Sequence, residues 1–199
     1  NPTPEKNAYF ILRFDFSAVN SDINKVEESF ENYCSRVIQY FLLEYDYAFD
    51  KKFSKEIDRC SSVAEKIDAV FMYAKKHNLK IYMLIDEYDN FANTILSTAG
   101  KEAYHRLTHG EGFFRHFFSK LKSATAMRES GLERLFITGV SPVTMDDVTS
   151  GFNIGSNISM RAVFSEMTGF TEDEVLDILN YYKEVGEFIP DISRSMELM

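Results

Sequence analysis

A chain of 199 residues with 45% apolar and 27% charged side chains is long enough to bury its own core and too apolar for wholesale disorder. Its net charge of −9 argues against a nucleic-acid footprint spread over the whole surface, while a local basic groove stays open. Two cysteines exclude a disulfide framework and a four-thiolate zinc site, and as free thiols they fit a reducing cytoplasm.

The opening residues 1–8, with Pro2 and Pro4, read as a linker or frayed end. They carry neither an initiator Met nor a hydrophobic leader, so the chain reads as part of something longer. Tyr9–Ser17 is bulky and apolar nearly throughout, the pattern of a strand covered on both faces. Ser21 and Asp22 are candidate caps for a helix whose Val26, Phe30, Tyr33, Val37, Phe41 and Tyr45 share one face. Ser62 and Glu65 form a capping-box pattern before a second helix with Val63, Ile67, Val70, Phe71 and Ala74 inward.

Lys80–Ile85 is a short apolar run that breaks into Asp86, Glu87, Tyr88, Asp89 and Asn90. Residues 90–110 suggest helical pieces around Gly100. From Gly112 a helix carries Phe113, Phe114, Phe117, Phe118 and Leu121, with Gly131 as its stop signal. A third strand runs from Glu133 into Thr138, Gly139, Val140 and Ser141. Residues 143–165 are the longest irregular stretch. Thr171 and Glu174 then cap a last helix with Val175, Ile178, Leu179 and Tyr182 inward. No apolar run approaches the roughly 18 residues needed to span a bilayer. Strands alternating with helices predict parallel strands joined by right-handed crossovers.

An apolar strand that delivers Asp86 and Glu87 at its C-terminal end has the Walker B pattern of P-loop NTPases. Such a strand holds two acids rigidly at the rim where ligands sit in open α/β folds. Asp86 would hold Mg²⁺ through a coordinated water, and Glu87 would orient the water that attacks the γ-phosphate. The plain alternative is a buried strand ending in a polar turn. The next strand ends in hydroxyls. Thr138, then Ser141, are candidates for a sensor that contacts the γ-phosphate or that water; the alternative is a simple Thr-Gly turn. No Gly-x-x-x-x-Gly-Lys-Ser/Thr phosphate loop occurs: Gly100-Lys101 is followed by Glu102, and Ile95 stands where the first Gly belongs. His105 and His109, with His116 nearby, could grip a metal, but they lack the zinc-protease pattern.

These residues together resemble the predicted AAA-ATPase-like proteins common in anaerobic gut bacteria. The resemblance rests on Leu12–Ser17, on Leu84–Phe91, on Phe136–Pro142 continuing to Ser150–Asn153, and on Met167–Val175. It implies a partial three-layer P-loop NTPase sheet of the additional-strand glutamate (ASCE) type, parallel strands flanked by helices, with sheet order 5-1-4-3-2. It assigns residues 9–168 to the middle of the ATPase core, strands 2, 3 and 4, and residues 169–199 to the start of a helical region. It also implies a phosphate loop upstream and, in many members, a restriction-endonuclease-like nuclease domain downstream.

Mg²⁺ and ATP are then the implied cofactors of the full-length protein, with Asp86 on the metal and Glu87, Thr138 and Ser141 serving the reaction. The chain alone is expected to be inactive. A non-catalytic interaction or regulatory module on the same fold is the competing reading. Nucleic acid would enter only through other domains, and no membrane is expected. The third strand should expose an edge, covered by a local segment or used in self-association.

Overall fold

The computed structural model describes residues 3–109, 112–127, 130–140, 155–159, 161–164 and 169–185. It divides into two units, residues 1–154 and 155–199.

The first unit is built on a parallel sheet of three strands, β1 (Phe10–Asp15), β2 (Ile81–Asp86) and β3 (Leu132–Ile137), in the order β1-β2-β3. The register pairs Phe14 with Ile85 and Asp15 with Asp86; across β2, Ile85 pairs with Ile137. An irregularity between Ile81 and Tyr82 lets Glu133 pass without a partner on β2.

The connections carry α1 (Val26–Glu44), α2 (Lys51–Ile57), α3 (Val63–Lys76), α4 (Asn90–Thr108) and α5 (Phe113–Ala126). Successive strands step in one direction across the sheet, so right-handed crossovers put these helices on one face. Burial follows that rule. Leu12, Phe14, Ile81, Met83 and Ile85 are buried beneath the helices, while Ile11 is 39% exposed and Arg13 is exposed on the other face. The apolar run of β1 thus does not mean a strand covered twice: among the described residues its second face is bare.

The core is a continuous aromatic cluster. Phe16, in a 3-10 turn directly after β1, lies within 6.2 Å of Phe14, Phe30, Phe91, Phe114 and Phe117, ring centre to ring centre. Such pairs add roughly 0.5–1.5 kcal/mol beyond the apolar area they bury.

Helix ends depart from the sequence reading in instructive ways. Neither Ser21 nor Asp22 caps α1 with its side chain; Lys25 precedes the helix, and the Asp22 carboxylate instead accepts from the Asn24 amide at 2.9 Å. Short α2 has no sequence period to betray it, yet Asp50 caps it through the Phe53 amide at 2.8 Å. Ser62 caps α3, but Glu65 reaches the Ser61 amide, one residue earlier than a strict box. Gly100, at φ 81°, interrupts α4. Gly131 does not stop α5, which ends at Ala126; at φ 85° it turns the chain into β3, against Phe71 and Ala74 where no Cβ fits.

β3 forms one edge of the sheet. Thr138 bonds toward β2 through both its N–H and its C=O, so Leu135 and Ile137 turn theirs outward. Among the described residues nothing pairs with them. β1 forms the other edge, and there Tyr33 and Tyr45 of the α1 region reach in. Tyr33 Oη accepts from the Asp15 amide at 2.8 Å and Tyr45 Oη from the Ile11 amide at 3.4 Å.

In the second unit, α6 (Glu172–Glu184) has the expected capping box complete: Thr171 accepts from the Glu174 amide, and Glu174 accepts from the Thr171 amide at 2.8 Å. Of its expected inward face, Val175 and Leu179 are half-buried and Ile178 and Tyr182 exposed; among the described residues none of the helix is fully buried. The polar stretch at 143–165 falls largely outside the described residues, as does residue 141. No helix among the described residues is long and apolar enough to cross a membrane. Cys34 is buried, which pushes its thiol well above the usual range, and Cys60 is half-buried; both are free.

Candidate functional site

β2 and β3 end side by side, and their ends are tied together. Thr138 N–H donates to the Ile85 carbonyl at 2.8 Å, and Tyr88 N–H donates back to the Thr138 carbonyl at 3.1 Å. The acidic turn after β2 is thereby pinned to the exit of β3. Asp89, fully buried, adds a second tie: its carboxylate accepts from the Val140 amide at 3.1 Å and from the Asn93 side-chain amide at 2.8 Å. Gly139 fits between because it has no side chain. A Cβ there would overlap the Tyr88 ring and stand 2.5 Å from the Asp89 carboxylate.

Asp86 stands at the rim with its side chain 43% exposed. Its Oδ1 accepts from the Thr138 hydroxyl at 2.5 Å and from the Glu87 amide at 3.1 Å. Its Oδ2 faces the Arg13 guanidinium at 3.4 Å. The Thr138 hydroxyl, more than any other influence, holds the Asp86 carboxyl below its usual range; burial, the next in size, opposes it, and the Glu87 amide and Arg13 add smaller lowering effects.

Glu87 has φ 52°, the left-handed region that non-glycine residues avoid. That conformation costs on the order of 1 kcal/mol and persists because the turn is over-determined. The Glu87 carbonyl accepts from the Asn90 amide at 3.1 Å, and Glu87 Oε2 accepts from the Asn90 side chain at 3.3 Å. Among the described residues its other carboxylate oxygen receives no hydrogen bond.

The structure therefore brings Asp86, Glu87 and Thr138 to one rim. Ser141 lies outside the described residues. The donors gathered here are oxygens only, two carboxylates and a hydroxyl, which suits a hard divalent cation that keeps several waters. Among the described residues no group of three or more His, Cys, Asp or Glu could cage a metal by itself. His105 and His109 do meet, as rings stacked at 4.3 Å, with His109 Nδ1 at 2.8 Å from the Thr108 hydroxyl. A groove of about 510 Å³ beside the start of α1, lined in part by Asn24, Glu27, Arg106 and His109, shares no residue with the rim.

Two participants were not visible as site residues in the sequence. Arg13 sits in the middle of β1, and only the parallel register reveals that it reaches Asp86, 73 positions away. The role of Gly139 depends on a packing distance that no spacing encodes.

A family described as predicted AAA-ATPase, AAA-ATPase_like, matches residues 1–149, three quarters of the chain. The chain belongs to this family. No curated protein and no solved structure matches it. The family match covers β1, β2 and β3 and every rim residue named above. It supports an ATPase-like function in general.

Proposed function

We propose that this AAA-ATPase-like chain provides the metal-holding and water-activating half of an ATP-hydrolysing site, on a half-sheet of the P-loop NTPase type. The supporting observation is the convergence of Asp86, Glu87 and Thr138 on one rim of a parallel sheet, in a chain of this family. A bound Mg²⁺ would neutralise phosphate charge as the γ-phosphoryl group transfers.

The residues divide the work. Asp86, kept ionised by the Thr138 hydroxyl, is the anion that holds the cation. Glu87 carries the carboxylate that orients water and accepts its proton; the Asn90 side-chain amide holds one of its oxygens, and among the described residues no donor holds the other. Thr138 senses occupancy, because its hydroxyl is shared between Asp86 and whatever lies in front of the rim. Ser141 is a second candidate for the same role. No Gly-x-x-x-x-Gly-Lys-Ser/Thr pattern occurs in these 199 residues, so on this reading the amides and lysine that cradle the triphosphate are supplied by a segment other than the described ones.

The test is ATP hydrolysis by the full-length protein carrying Glu87→Gln. The expected result is a fall in kcat of at least about a hundredfold with nucleotide binding retained. Unchanged turnover would end the enzymatic reading and leave the non-catalytic module.

A further inference from the structure

Asp86 has two oxygens with different surroundings. Oδ1 is committed to the turn through the Thr138 hydroxyl and the Glu87 amide. Oδ2 is the oxygen left to face an incoming cation, and a cation is already there: the Arg13 guanidinium, at 3.4 Å. Arg13 projects from the bare face of β1, opposite Leu84 in the register and one pleat below Asp86. No helix covers it among the described residues, and its side chain is 63% exposed.

We propose that Arg13 is the resident counter-ion of Asp86, which a divalent cation must displace, and that it sets the metal affinity of the rim. This rests on the reading of Asp86 as the metal-holding residue.

Three properties suit Arg13 to the role. Its guanidinium is cationic whatever the state of the site, so a counter-charge stays beside Asp86 while the site is empty. The pair is exposed and has a single contact of moderate length, so it is weak enough to give way. Its guanidinium approaches the same oxygen that the metal, or the water bound to it, would use. A guanidinium about 6 Å from a divalent cation in high-dielectric surroundings opposes binding by roughly three- to tenfold. The displaced side chain stays tethered to β1 beside the rim, positioned to meet the negative charge of a phosphate that arrives with the metal.

The experiment is a titration of the 199-residue chain with Mn²⁺ alone, followed by paramagnetic broadening of the Glu87, Tyr88 and Thr138 amide resonances. This readout is local, needs no turnover and detects weak sites despite the acidic surface. Arg13→Gln should move the midpoint to roughly three- to tenfold lower Mn²⁺. Arg13→Lys keeps the charge and should stay within about twofold of wild type. Asp86→Asn should abolish the broadening.

A wild-type midpoint in Arg13→Gln, with broadening still dependent on Asp86, would overturn the role of Arg13 while leaving the metal site intact. A Lys variant that behaves like the Gln variant would overturn it too, since charge would not be the cause. Absence of broadening at the rim in every variant would overturn both the role of Arg13 and the reading of Asp86 on which it rests.

Discussion

The two edges of the sheet are treated in opposite ways. At β1 the outward amides of Ile11 and Asp15 are capped by the hydroxyls of Tyr45 and Tyr33, and the strand leads directly into Phe16 at the centre of the aromatic cluster. At β3 the outward groups of Leu135 and Ile137 have no partner among the described residues, and Phe136 is only half-buried. A parallel strand with free outward groups is a template for another strand, whereas a capped one is closed to pairing. Among the described residues, then, the β1 side is the closed one, and the Asp86–Thr138 rim borders the side whose outward groups have no described partner.

The largest test of that contrast is in the core. Phe16→Ala should cost about 3–5 kcal/mol, because it opens a cavity among five aromatic rings. Phe136→Ala on the open side should cost only about 1 kcal/mol, in keeping with its partial burial. Urea denaturation of the two variants measures both, and equal losses would erase the distinction between the edges.

A smaller effect is expected from the caps themselves. Tyr33→Phe keeps the ring and removes the hydroxyl, leaving the Asp15 amide without its partner at a cost of about 1 kcal/mol. Combined with Tyr45→Phe, it should also raise concentration-dependent self-association, read by sedimentation velocity, since both edges would then be open. No change in sedimentation would show that the hydroxyls serve stability alone.

The smallest effect is electrostatic. Thr138→Val removes the main cause that holds the Asp86 carboxyl low, so that group should titrate nearer its ordinary value. Because the folded value lies below the unfolded one, Asp86 stabilises the fold above the ordinary carboxylate range, and that contribution fades as pH falls through the lowered value. In Thr138→Val this acid-side loss should shrink. Exposure of Asp86 keeps the effect modest. Carboxyl ¹³C titration of Asp86 checks it directly, and an unmoved titration would remove Thr138 from the electrostatics of the rim.

Much of the rim was legible in the sequence because β2 and β3 are short apolar runs that end abruptly in polar residues. A strand that ends in chemistry needs no tertiary information to be noticed. The Thr171 capping box was legible for the same reason, since every partner lies within four residues. What escaped was non-local. Arg13 interrupts an apolar run, and its partner is fixed only by the register of two strands far apart in sequence. The bare face of β1 escaped too. Its alternation is masked by Ile11, an apolar residue on the exposed side. Helix α2, at seven residues, is too short to show a period, and only its Asp50 cap marks it. Glu87 gave no sign of its left-handed backbone, because glutamate, unlike Asn or Asp, is not enriched in that region.

The Gly139 contact has a mechanical consequence. With no room for even a methyl group between the end of β3 and the Tyr88–Asp89 turn, and with the Val140 amide held by Asp89, neither segment can shift alone. The turn that carries Glu87 is therefore set against the exit of β3 by direct contact, through the Tyr88 ring, the Asp89 carboxylate and the Thr138 carbonyl.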